Sequence, residues 1–186
     1  MLAYVAHHSF KLFQMNMKSA FLNGPIKKEM YVEQPPSFKD DWYPDHVYKL
    51  SKELYGLKQA PRAWYECLRD FLISNAFKVG KVDLILFTKT CNGDLFVCHI
   101  YVDDIIFGST NQKSYEEFSR VMAQKFEMSM MGELTYFLGF QVKQLKQGTF
   151  LSQTNYIQDI LKRFGIKDAN PAKTVGAKAN TLPFTH

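Results

Sequence analysis

The chain has 186 residues, 46% hydrophobic and 22% charged, with a formal net charge of +5, which is the composition of one ordinary globular domain with a sizeable core. No apolar run approaches the length of a membrane span, residues 1–13 lack the pattern of a signal peptide, and the three cysteines show no metal-ligand spacing. These features argue against a membrane protein and a disulfide-rich secreted one, and predict an intracellular protein, cytoplasmic or nuclear.

The first half of the chain predicts short strands and one amphipathic helix. Residues 10–17 alternate well enough for a strand, and residues 30–33 and 47–50 predict two more strands around a proline-rich loop. After Pro61, a favoured first helical residue, apolar side chains recur at helical spacing as far as Leu72. We expect this helix to pack its apolar face on a sheet.

The second half predicts hairpins and two further helices. Residues 84–90 and 95–102, joined by Asn92 and Gly93, have a strong hairpin signature. Residues 109–111 offer N-caps for a helix that ends near residue 126. The remaining segments predict two strands, a last helix and a loosely ordered tail, at residues 137–144, 149–152, 154–164 and 169–186 respectively.

This order of elements predicts α+β architecture, with helices on one face of an antiparallel sheet and the opposite face open. The last quarter of the chain carries the excess charge, because residues 140–186 hold 7 basic and 2 acidic side chains while residues 1–139 hold 16 of each. Such a segment could contact a phosphate backbone, and it could equally be the solvated face of a helix.

The adjacent pair Asp103 and Asp104 interrupts an apolar stretch, so we expect it at the tip of a tight hairpin. Two carboxylates side by side require a nearby cation, and Mg²⁺ prefers such oxygen ligands. The alternative is an Asp-rich turn without a role in chemistry. If Asn16 ends the first strand, all three side chains could meet at one end of the open face, in a shallow site suited to a nucleic-acid duplex.

Several longer strings make the sequence resemble the reverse transcriptase domain of copia-type long-terminal-repeat retrotransposons of plants. The strings are Lys-Ser-Ala-Phe-Leu-Asn-Gly at residues 18–24, Tyr-Lys-Leu at 48–50, Leu-Tyr-Gly-Leu-Lys-Gln-Ala-Pro-Arg-Ala-Trp at 54–64, Tyr-Val-Asp-Asp at 101–104 and Phe-Leu-Gly at 137–139. The resemblance covers about residues 1–173. It implies a polymerase palm, with a ferredoxin-like antiparallel sheet, and part of the fingers, over residues 1–168.

The resemblance also implies a site and its partners, namely an RNA template, a DNA primer, deoxynucleoside triphosphates and two Mg²⁺ ions. Asp103 and Asp104 would be the metal-binding, catalytic carboxylates. Phe21 would be the steric gate beneath the sugar, Gln59 would line the nucleotide pocket, and Tyr101 would lie near the primer end. Each of these three side chains could instead only pack in the core or lie at the solvent-exposed surface.

The sequence departs from the family pattern at Asn16, where the family has a metal-bridging Asp. A neutral amide cannot supply the charge that holds two divalent ions close together, so we expect little or no polymerisation. The resemblance further implies a truncated copy without thumb and ribonuclease H segments. Two other hypotheses remain open: a non-catalytic module that binds nucleic acid or a protein partner, and a translated relic without a selected role.

Overall fold

The computed structural model describes residues 1–166, in which four α-helices and eleven β-strands are present. The helices are α1 (Leu2–His7), α2 (Ala60–Ser74), α3 (Gln112–Lys125) and α4 (Thr154–Arg163). The strands are β1 (Phe13–Met17), β2 (Tyr31–Glu33), β3 (Val47–Lys49), β4 (Lys78–Val79), β5 (Leu86–Cys91), β6 (Asp94–Tyr101), β7 (Asp104–Ser109), β8 (Met128–Glu133), β9 (Tyr136–Phe137), β10 (Phe140–Leu145) and β11 (Gly148–Ser152). The predicted tail at residues 169–186 lies outside the described residues.

The strands form three antiparallel sheets. The largest has six strands in the order β4-β5-β6-β7-β1-β8, a second has the order β11-β10-β9, and β2 pairs with β3 alone. The prediction of α+β architecture with antiparallel sheets is therefore confirmed. None of the helices within residues 1–166 is both long and apolar enough to cross a membrane.

Helices α2 and α3 pack on one face of the six-stranded sheet and form the larger hydrophobic core. The helices contribute Trp64, Leu68, Leu72, Phe118 and Met122, all buried. Alternate residues of β1 and β7 face them, because side chains on a strand point to opposite faces in turn. The prediction of an amphipathic helix after Pro61, packed by its apolar face on a sheet, is therefore confirmed by α2.

The opposite face of the six-stranded sheet is not fully open, which corrects the sequence-based expectation. A second core of Val5, Leu12, Val97, Ile106, Leu134 and Val142 joins α1 and the β9–β11 sheet to this face. Strands β6 and β7 carry apolar side chains on both faces, as strands buried on both sides do. The end of this face near Tyr101 and Asp104 remains exposed or half-buried.

Two strands of the large sheet were not predicted, and one begins later than expected. Strand β4 has two residues, and β8 is rich in methionine and lies at the sheet edge beside β1. Strand β1 begins at residue 13, and the chain before it turns through Ser9, which has a φ of 55°. The hairpin of β5 and β6 is confirmed, with positive φ at both Asn92 and Gly93.

Candidate active site

A two-residue loop, Val102 and Asp103, joins β6 to β7 and forms the tip of the predicted hairpin. Tyr101 and Asp104 are opposite each other at the ends of the two strands. The expectation that both Asp residues form the tip is thus half right, since Asp104 is already the first residue of β7. Val102 occupies the other tip position with a φ of 57°.

Backbone contacts fix this loop against the rest of the sheet and against α2. The amide of Met17 donates a hydrogen bond to the carbonyl oxygen of Asp103 at 2.7 Å. The indole Nε1 of Trp64 donates to the carbonyl oxygen of Val102 at 2.6 Å, and the Trp64 ring is buried. The loop is therefore held from the end of β1 and from the first turns of α2.

Asn16 lies directly opposite Asp104 in the pairing of β1 with β7. Its Nδ2 donates to Oδ1 of Asp104 at 3.1 Å, and Nε2 of Gln14 donates to the same oxygen at 3.0 Å. The structure thus brings Asn16, Asp103 and Asp104 to one end of the sheet, as expected. It adds Gln14, which sequence reasoning missed although Gln14 lies two residues before Asn16 on the same strand face.

The donor set can be tested against the pair of Mg²⁺ ions that the sequence resemblance implies. One oxygen of the Asp104 carboxylate already accepts two neutral N–H groups, and no third carboxylate stands beside it on β1. Within residues 1–166 there is no group of three or more His, Cys, Asp or Glu side chains that could hold a metal ion. Because closely spaced divalent ions need several charged oxygen ligands, the residues present do not fit a metal pair.

The other predicted site residues occupy separate places. Phe21 lies half-buried in the short 3₁₀ helix that follows β1, with its ring 4.6 Å from that of Tyr55. Tyr101 is exposed, and its ring meets the edge of Phe137 at 5.9 Å. Gln59 precedes α2 and lines a cavity beside that helix, and no hydrogen bond within the described residues joins it to Asp103 or Asp104.

A sequence profile of the reverse transcriptase (RNA-dependent DNA polymerase) family matches residues 1–178, nearly the whole chain. The chain belongs to this reverse transcriptase family. It is 36% identical over 181 residues to each of two Retrovirus-related Pol polyproteins of Arabidopsis thaliana, those from transposons RE2 and RE1. The similar polyprotein from transposon TNT 1-94 of Nicotiana tabacum is 31% identical over 176 residues.

This reverse transcriptase domain matches the Arabidopsis polyproteins over 97% of its own length and spans 12% of theirs. The predicted resemblance to plant retrotransposon polyproteins is confirmed. No solved structure gives a significant match to the chain.

Proposed function

We propose that the reverse transcriptase domain forms a polymerase palm with part of the fingers. The chain order β1, α2, β6, β7, α3, β8 and the sheet order β6-β7-β1-β8 correspond to the ferredoxin-like strand-helix-strand-strand-helix-strand arrangement. The β2–β3 hairpin, which lies outside this sheet, is the part that we assign to the fingers. The ancestral substrates would be an RNA template, a DNA primer and deoxynucleoside triphosphates, in the cytoplasm or nucleus.

Within this proposal, the residues at the exposed end of the sheet have distinct roles. Asp103 and Asp104 descend from the metal-binding carboxylates, and Tyr101, which projects from the same end, faces the primer terminus. Phe21 limits the space under the sugar from the short helix after β1. Gln59, which lines a cavity beside α2, is assigned to the nucleotide pocket from the family resemblance alone.

We further propose that this copy does not polymerise DNA, and one observation carries the proposal. Oδ1 of Asp104 is satisfied by the neutral amides of Asn16 and Gln14, where a catalytic pair of cations would need negative charge. Loss of one well-placed electrostatic group typically lowers an enzymatic rate on the order of 100- to 1,000-fold. The loss of a shared metal ligand is expected to cost at least that much.

Primer extension on an RNA template with Mg²⁺ or Mn²⁺ tests this proposal with three proteins: the unmodified chain, Asn16→Asp, and Asn16→Asp combined with Asp103→Ala. We expect extension by Asn16→Asp alone, at a rate on the order of 100-fold or more above the unmodified chain. Extension by the unmodified chain that is absent from the protein carrying Asp103→Ala would contradict the proposed inactivity. The absence of extension by all three proteins would contradict the claim that Asn16 accounts for the inactivity.

A second candidate function is a module that binds nucleic acid without catalysis. Lys143, Lys146, Lys162 and Arg163 form no ion pair within residues 1–166, so their charges are available to a phosphate backbone. The same three proteins distinguish this function, because it predicts salt-sensitive binding of an RNA–DNA duplex that neither Mg²⁺ nor Asp103→Ala alters.

A further inference from the structure

Residues 35–46, which lie between β2 and β3, present large aromatic side chains to solvent. Phe38 is 75% exposed and Trp42 is 87% exposed. Tryptophan is among the residue types most enriched at the positions that dominate the binding energy of protein interfaces. Two aromatic side chains this exposed on one short loop therefore indicate a surface for another protein.

Two polar side chains hold this loop in a defined conformation. Gln34 is only 6% exposed, and its Nε2 donates hydrogen bonds to the carbonyl oxygens of Tyr43 and His46, both at 2.8 Å. Its Oε1 accepts from the amide of Asp40 at 2.7 Å. Oδ1 of Asp40 accepts in turn from the amides of Trp42 and Tyr43. Because the backbone is already ordered, a partner of Trp42 does not have to offset the full entropic cost of fixing the loop.

Negative charge surrounds these aromatic side chains, and we call residues 35–46 the acidic loop. It contains Asp40, Asp41 and Asp45 against one basic residue, Lys39. Asp41 and Asp45 form no ion pair within residues 1–166. A phosphate backbone would be repelled by such a loop, so the partner that fits it is a protein surface with apolar area and positive charge.

A surface of that character lies on the hairpin of β10 and β11. Lys143 and Leu145 alternate with Val142, which is buried in the second core, so their side chains project from the outer face. Phe150 is directly opposite Lys143 in the strand pairing and shares that face. Leu145 is 54% exposed and Phe150 is 60% exposed. Lys146 adds a second positive charge at the turn, and the two strands contain no acidic side chain.

We infer that the acidic loop of one copy of this chain docks on the basic face of a second copy, where the basic face is the surface made by Lys143, Leu145, Lys146 and Phe150. The aromatic side chains of the loop cover the apolar part of the basic face, and the free carboxylates pair with its lysines. Within residues 1–166 of one chain no ion pair joins the two surfaces, so each is available to a second molecule. The inference does not rest on the proposed function, because it uses none of the residues around Asp103.

Sedimentation equilibrium of the full chain, with and without nuclease treatment, tests this self-association. We expect a mass above that of the monomer at chain concentrations up to about 100 µM, and weaker association at high salt, because the contact joins opposite charges. Fluorescence gives a second measurement, since the chain has two tryptophans and Trp64 is buried. A shift of the emission to shorter wavelength with rising concentration would report the burial of Trp42.

Reversal of the charges provides a test that a non-specific apolar association would fail. The pair Asp41→Lys and Asp45→Lys, and separately the pair Lys143→Asp and Lys146→Asp, should each weaken self-association at least about tenfold, because like charges then face each other. An equimolar mixture of the two double variants should associate as the unmodified chain does, because each supplies the charge that the other requires. Recovery in the mixture would also show that both variants are folded.

Two exposed aromatic residues provide matched variants. Trp42→Ala should weaken self-association at least about tenfold, whereas Tyr156→Ala, on the exposed surface of α4, should leave it unchanged. The inference would be overturned by a monomer at every concentration, by a larger mass that nuclease treatment removes, by equal effects of the two aromatic substitutions, or by a mixture of the charge variants that stays monomeric.

Discussion

At the residue scale, hydrogen bonds to the Asp104 carboxylate connect strand β7 to strand β1. Its Oδ1 accepts hydrogen bonds from Gln14 and Asn16, both on β1, while the backbone of β7 pairs with the same strand. Hydrogen bonds to a charged group are stronger than those between neutral groups. The two amides therefore stabilise this junction, in addition to leaving it unfit for a metal pair.

Replacement of Gln14 by methionine tests this attachment, because methionine keeps the length of the side chain and removes the N–H donor. We expect Gln14→Met to lower the free energy of unfolding by about 1–3 kcal/mol, measured by chemical denaturation. Gln158→Met, on the exposed surface of α4, serves as the matched control and should change it by less than about 0.5 kcal/mol. Equal effects of the two substitutions would show that the Gln14 amide contributes nothing specific.

Single residues differ in how far the sequence could predict their roles. Asp103, Asp104 and Asn16 could be placed together, because a polar pair between apolar runs indicates a hairpin and Asn16 belongs to a recognisable string. Gln14 could have been found from the two-residue period of the strand. The burial of Glu53, which is only 2% exposed, could not, because it depends on the packing of the loop at Gly24 against α2, and no local pattern describes that contact.

At the element scale, the β6–β7 hairpin carries backbone strain at its tip. Val102 has a φ of 57°, in the left-handed region that costs an L-residue roughly 1–2 kcal/mol. Its side chain is about half exposed, so the residue gains little from burial in return. The hydrogen bonds that Trp64 and Met17 make to this loop hold the conformation in place.

Substitution of Val102 by glycine is expected to stabilise the protein by up to about 1 kcal/mol, because relief of roughly 1–2 kcal/mol of strain exceeds the entropy that glycine adds to the unfolded chain. Thermal or chemical unfolding of the purified chain measures the change. Val82→Gly is the matched control, since Val82 is fully exposed without positive φ, and it should lower stability through the greater entropy of the unfolded chain. A loss of stability in Val102→Gly as large as in the control would contradict the assignment of strain.

Elements with strong local signals were predictable and those without were not. The β5–β6 hairpin has an Asn-Gly turn and apolar alternation, and α2 has proline near its start and a clear apolar face. Strand β8 lacks β-branched residues, and its sequence Met-Ser-Met-Met-Gly-Glu has no strand signature. It forms because the edge of β1 is available for pairing.

At the scale of the whole molecule, the second core explains why the open face is smaller than the sequence indicated. Gln144 on β10 donates to the carbonyl oxygens of Leu12 and Leu134, and its Oε1 accepts from the Leu12 amide at 2.8 Å. Leu12 and Gln144 are 132 residues apart in the chain. No sequence window contains such a contact, so the covering of the sheet by the β9–β11 unit could not be read from local patterns.

The end of the sheet at Asp104 does not fit a pair of metal ions, and this property links single residues, the strands and the whole molecule. The chain shares a family with polyproteins of which it spans 12%, yet its own site offers amides where charge is needed. In Asn16→Asp, a carboxylate would stand where the Asn16 Nδ2 now lies 3.1 Å from Oδ1 of Asp104. Two carboxylates that close repel each other unless a cation or a proton joins them.

The most direct test is the unfolding temperature of the unmodified chain and of Asn16→Asp, each with EDTA and with a millimolar excess of Mg²⁺ at matched ionic strength. A ligand that binds the folded state raises its stability in proportion to the logarithm of its concentration. We predict that Mg²⁺ leaves the unmodified chain unchanged, and that Asn16→Asp unfolds at a lower temperature in EDTA and recovers with Mg²⁺. An equal rise in both proteins would contradict the account, because it would show that Asn16 and Gln14 do not prevent the site from holding a cation.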